Sequence, residues 1–135
     1  MTPQEARVRN VQYLLQSAHE ALASAASELA AARTRFAMNR AYYACFYAVS
    51  ALFVAENRHF TKHGAVRAAL HRDLIRPGRL AAEWGDFYDE VFEARQISDY
   101  GLQAEFDPAT AAAALSRAGR FVAHLVRLCP AAPPQ

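Results

Sequence analysis

From Gln4 to about Glu56 the chain runs without a glycine or a proline, and alanine recurs throughout that span. No other feature limits the fold as strongly. Glycine and proline are the residues that most readily interrupt a helix, and alanine is the best helix former. The span opens with TPQE. Thr2 can cap, Pro3 suits the first helical position, and Glu5 completes a capping box. Val8, Val11, Leu14, Leu15, Ala18, Leu22, Ala25 and Leu29 then follow one apolar stripe at i, i+3, i+4 spacing. The whole span is longer than a globular helix usually runs. A break is therefore expected near residues 30–34 (AARTR), giving two antiparallel helices, although no turn residue marks it.

The second helix, from about Thr34 to Glu56, is apolar or aromatic in nearly every direction, the pattern of a central helix packed on several sides. Its polar exceptions are Asn39, Arg40 and Ser50, and Arg40 shares a face with Tyr43 and Tyr47. A loop (NRHFT) leads to a shorter helix, about Lys62 to Ile75, with Val66, Leu70 and Leu74 inward and Arg76-Pro77-Gly78 as its stop. A fourth helix is predicted from about Leu80 to Tyr100, closed by Gly101. Asp107-Pro108 starts a fifth, which carries Ala112, Leu115, Phe121, Val122, Leu125 and Leu128 to about Cys129. No strand pattern occurs. The expected class is all-α, an antiparallel four-helix bundle with an additional short helix. One domain over residues 1–129 and a disordered tail over 130–135 complete the prediction.

The 135 residues suffice for a core without staples, and 53% apolar with 21% charged residues is globular composition. No apolar run approaches the roughly 18 residues that span a bilayer, so no membrane partner is expected. Two cysteines, Cys45 and Cys129, make no disulfide framework, and MTPQEARVRN lacks the apolar stretch of a signal peptide. A cytoplasmic location is the expectation. Charge is uneven: residues 56–80 carry six Lys/Arg against two acids, and residues 81–107 one Arg against eight acids. This reads either as a basic surface for a polyanion beside an acidic one or as ordinary solvated helix faces.

His59 and His63 are four apart, with His71 eight further on. Zinc needs three or four ligands with supporting carboxylates, and no HExxH occurs, so neither metal nor cofactor is expected. His63, Arg67 and His71 on one side of the third helix read better as a stripe for phosphate. The acids Asp86, Asp89, Glu90 and Glu93 read as a solvated face. In FEARQISDY the buried stripe of the fourth helix (Trp84, Phe87, Tyr88, Val91) runs into Arg95 and Asp99. The pair reads most simply as an i,i+4 salt bridge. It reads alternatively as an arginine held at a groove for a phosphate, with Asp99 and Tyr100 orienting it.

At NRAYYACFYAVSALF, TKHGAVRAALHRDLIRPG and FEARQISDYG, in order and from about Arg7 to Leu128, the chain resembles the HEPN (higher eukaryotes and prokaryotes nucleotide-binding) domains. The nearest likeness is to the small prokaryotic branch with R-A-Y-Y-A on its second helix. The resemblance implies a four-helix core with a short extra helix, often a homodimer. It implies a minimal nucleotidyltransferase partner, encoded by a neighbouring gene, in a toxin–antitoxin-like module. The activity it implies is that of a metal-independent ribonuclease; the alternative is a non-catalytic subunit that binds nucleotide or RNA, or presents substrate to the transferase. Catalytic members carry an arginine and, four to six positions on, a histidine. Arg95 matches the arginine, but Asp99, Tyr100 and Gly101 supply no histidine. The catalytic candidates are therefore Arg95, Asp99 and, from the T-K-H-G element, His63. Arg40, Tyr43, Lys62, Arg67 and His71 are the candidates for binding RNA or nucleotide. Tyr100 corresponds to a tyrosine that the transferase modifies in some family pairs.

Overall fold

The Thr2 hydroxyl accepts a hydrogen bond from the Glu5 amide at 3.1 Å, and the Asp107 carboxylate accepts one from the Thr110 amide at 2.7 Å. Both helix starts therefore use the caps that the sequence offers. The computed structural model describes residues 1–100 and 105–130. These form α1 (Pro3–Ala30), α2 (Thr34–Ala55), α3 (His63–Leu70), α4 (Ala82–Asp99) and α5 (Pro108–Leu128), with no strand among the described residues. The fold is an all-α bundle of four long helices with a short one. No helix is long and apolar enough to cross a membrane. The predicted stop at Gly101 and the tail beyond Pro130 lie outside the described residues.

The break between α1 and α2 falls where expected, and its mechanism explains why no turn residue marks it. The Arg33 amide bonds the Glu28 carbonyl at 2.9 Å, and the Ala32 amide bonds the Leu29 carbonyl at 2.9 Å. That pair of bonds is a Schellman motif. Its left-handed position is Ala32, at φ 63°, where glycine usually sits. A second such motif ends α2, with Asn57 at φ 62° and bonds from Arg58 to Phe53 and from Asn57 to Val54.

Helix α2 touches α1, α3, α4 and α5. Ala41, Ala44, Ala48 and Ala51 on it are at most 1% exposed, so neighbours approach its backbone closely on several sides. Helix α4 buries Trp84, Phe87, Tyr88, Val91 and Phe92 against it and against Phe121 of α5.

Three expectations need correction. The third helix keeps α geometry only to Leu70; His71–Ile75 form a π-helical turn, and Gly78 at φ +84° completes the stop. In α5, Ala112 faces solvent, and Ala111, Ala114 and Ala118 are the buried residues. They lie in phase with Phe121, Val122 and Leu125, three or four residues apart. Finally, Asp89 does not belong to a solvated acidic face, because the His71 Nε2 lies 2.9 Å from its carboxylate. Gly85 permits this contact: a Cβ there would stand 2.9 Å from the His71 ring.

Candidate functional site

Tyr42 lies on the α2 face that meets α4, and burial there pushes its phenol up to about 12. It remains a protonated hydroxyl at neutral pH. That hydroxyl sits 2.6 Å from Nδ1 of His63, the first residue of α3. The His63 ring stacks on Phe46 with centroids 4.3 Å apart and meets Tyr43 edge-on at 5.7 Å. The imidazole is thus clamped by three aromatic residues of α2. A hydroxyl can donate to Nδ1 or accept from it, so Tyr42 can hold the ring in either protonation state.

The stripe of α4 carries Arg95 to the same place. Its guanidinium carbon lies 5.2 Å from the Tyr42 ring centroid and 6.0 Å from that of Phe92. Its Nε stands 3.0 Å from the Asp99 carboxylate, so the i,i+4 pair exists. The N–H is not aimed along that line: Nε and Nη1 are both buried without a hydrogen-bond partner. Arg95 is only 14% exposed and Asp99 42%, so the pair spans the boundary between core and solvent. The Tyr88 hydroxyl, buried beside Tyr42, is the third polar atom of this cluster without a partner. Burial first, and then the Tyr42 phenol, push Tyr88 well above the usual tyrosine range.

His63 responds to these neighbours. Burial and then the Arg95 charge hold it below the ordinary imidazole value, and the Asp99 carboxylate partly opposes them. Tyr42 meets His63 with its hydroxyl and Arg95 with its ring, and Arg95 is paired with Asp99, so the three catalytic candidates gather around this one tyrosine although 32 residues separate His63 from Arg95 in the sequence. The result is an imidazole held below its ordinary value and a largely buried guanidinium around one tyrosine, the group types that exchange protons and contact phosphates.

The binding candidates divide. Arg40 lies over the Tyr43 ring at 4.9 Å and bonds the Asn39 amide oxygen, so Arg40, Tyr43 and His63 form one row. Lys62 is exposed next to His63. Arg67 lies over Phe92 at 4.3 Å, with Asp89 at 3.9 Å. His71 stands apart, committed to Asp89 and packed on Gly85. Tyr100 caps α4 and is 74% exposed. Among the described residues no group of three His, Cys, Asp or Glu is arranged to hold a metal ion. Sequence reasoning missed Tyr42, Phe46 and Tyr88 as site residues. They sit among other apolar and aromatic residues of buried helices, and the spacing of polar residues gives no hint that the Tyr42 hydroxyl and the Phe46 ring face a histidine or that Tyr88 lies beside Tyr42.

Comparison with known proteins accounts for this arrangement of helices. A UPF0332 protein of Thermotoga maritima is 40% identical over 57 residues, which cover 42% of this chain and 43% of that relative. The chain thus aligns with less than half of the relative's length. The sequence model of the HEPN domain matches residues 11–128. That match takes in α2, α3, α4 and α5 whole, together with every candidate catalytic residue, and the chain belongs to the HEPN domain family.

Proposed function

We propose that this protein is an RNA endonuclease whose chemistry is carried by side chains, the toxin of a module that also contains a minimal nucleotidyltransferase. The supporting observation is the convergence of His63 on Arg95 and Asp99. The imidazole absent from the Arg95–Tyr100 segment is supplied from α3 and oriented by Tyr42 at 2.6 Å. In the reaction, Arg95 binds the scissile phosphate by a charge-assisted hydrogen bond from Nη2, since Nε and Nη1 are buried. Neutral His63 takes the proton of the RNA 2′-hydroxyl as that oxygen attacks phosphorus. The bond from phosphorus to the 5′-oxygen breaks, and the proton held by His63 passes to that leaving oxygen. A 2′,3′-cyclic phosphate and a 5′-hydroxyl result. Asp99 holds Arg95 in place, and the Tyr42 hydroxyl accepts a hydrogen bond from Nδ1–H while the ring is charged. A homodimer pairing two such clusters, and Tyr100 as the residue that the transferase modifies, belong to the same reading. Its 74% exposure leaves that phenol accessible.

One observation favours a second reading. Asp99 lies 3.0 Å from Arg95 and offsets the charge that a phosphate would meet. A non-catalytic subunit that binds RNA or nucleotide, or presents substrate to the transferase, would tolerate this better than an enzyme. Cleavage assays on purified wild type, Arg95→Ala and His63→Ala, with and without the transferase, separate the two. The first reading expects each substitution to lower cleavage by about a hundredfold or more. It also expects co-expressed protein to carry a mass increment on Tyr100. RNA binding without Arg95-dependent cleavage assigns the second.

A further inference from the structure

The site does not end at His63. Phe46, which stacks on His63, also heads a hollow of about 200 Å³ bounded by Ser50, Val54 and Phe60. Leu14, Val54, Arg58 and His59 wall this hollow and also a broader one of about 610 Å³, which reaches Arg7, Asn10 and Tyr13. Sharing four walls, the two are one groove. The floor of its smaller part is α2 from Phe46 to Val54, about 12 Å of helix at 1.5 Å per residue, and α1 from Pro3 to Leu14 walls the broader part.

Among mostly apolar walls, the ionisable groups of the lining are all basic. It offers two guanidiniums and an imidazole and not one carboxylate. Arg7 and His59 form no ion pair among the described residues. Arg58 shares Asp73 with Arg72, so a single carboxylate faces two cations there. At the far end the Tyr13 ring is 70% exposed. Cations that follow a backbone, interleaved with exposed rings that take bases, are how proteins hold a single nucleic-acid strand.

We propose that this groove holds the single-stranded RNA that leaves the Arg95–His63 site, with Tyr13 stacking a base and Arg7 and His59 meeting phosphates. The proposal rests on reading that site as an RNA site. The floor has room for on the order of three stacked nucleotides at about 3.4 Å each. Neither Tyr13 nor Arg7 takes part in the proposed chemistry.

The test uses the full chain with a labelled single-stranded octaribonucleotide and with a dinucleotide, measuring binding by anisotropy and cleavage by kcat and KM. Tyr13→Ala and Arg7→Glu are expected to weaken octamer binding by about fivefold or more each and to raise its KM. Dinucleotide kinetics and the octamer kcat stay as in wild type, and Tyr13→Trp restores octamer affinity. An octamer held through Tyr13 and Arg7 but never cleaved upholds the groove and removes the catalytic reading. Arg95-dependent cleavage with the same octamer KM in all variants overturns the groove and leaves the site intact. A wild type that does not bind the octamer also overturns it. So does a Tyr13→Ala change in oligomeric state without a change in RNA affinity, which assigns this face to protein contact.

Discussion

His63 titrates between two neighbours of opposite sign, and this makes the cluster testable without any substrate. Burial is the largest cause lowering its midpoint below 6.5, and Arg95 adds to it, whereas Asp99 raises it. Arg95→Gln should therefore move the His63 midpoint up, and Asp99→Asn should move it down, as read from the imidazole proton resonances. The stability consequence has a fixed sign. Between the lowered folded midpoint and 6.5 the unfolded chain binds more protons at this residue, so its contribution to stability falls on acidification through that window. If neither variant moves the midpoint, the guanidinium and the carboxylate do not face the imidazole and the proposed site dissolves. Tyr42 matters to the same experiment, since burial pushes its phenol up to about 12, so the hydroxyl stays protonated and partners Nδ1 throughout the His63 titration.

At the scale of elements, the clearest sequence signals were those that act locally. Thr2 and Asp107 cap as read, and the wrap-around apolarity of α2 correctly marks the helix that touches all the others. The α1–α2 turn was legible only as an excess of length, because Ala32 occupies a backbone conformation that glycine adopts at far lower cost. Replacing Ala32 with glycine should stabilise the protein by about 0.5–1 kcal/mol, since the relief of a left-handed alanine exceeds the entropy that glycine adds to the unfolded chain. Chemical denaturation measures it directly, and a destabilised variant would mean that the turn is not strained. The π-helical turn at His71–Ile75 had no legible signal at all. At this turn Gly85 of another helix leaves space for the His71 ring, and Asp89 receives it. Pairings between helices of this kind are invisible to periodicity, and the meeting of Tyr42 with His63 was missed for the same reason.

Across the whole molecule, the uneven charge seen in the sequence is partly consumed within the fold. The basic segment that includes α3 lies against acidic α4, where Arg67 and His71 both approach Asp89. Lys62 and Arg7 form no ion pair among the described residues, so the proposed RNA would meet these cations rather than the entire third helix. The site and the core are also one structure, because Tyr42 and Tyr88 carry its hydroxyls and are themselves 0% exposed. Phe121 of α5 supports this floor from behind, with its ring centroid 5.9 Å from those of Tyr88 and Trp84. Phe121→Ala should cost about 3–5 kcal/mol through the cavity it leaves, lowering Tm by on the order of 10 °C in a domain of this size. Trp84 is the only tryptophan and is 9% exposed, so its fluorescence reports the α4–α5 contact, while far-UV circular dichroism reports every helix. Trp84 and Phe121 belong to the cluster that joins α1, α2, α3, α4 and α5, so the two signals are expected to shift together in the variant, as in wild type. A Trp84 transition that precedes the loss of helicity would make α4 and α5 a separate unit, and Arg95 would then be positioned by a weaker scaffold than His63.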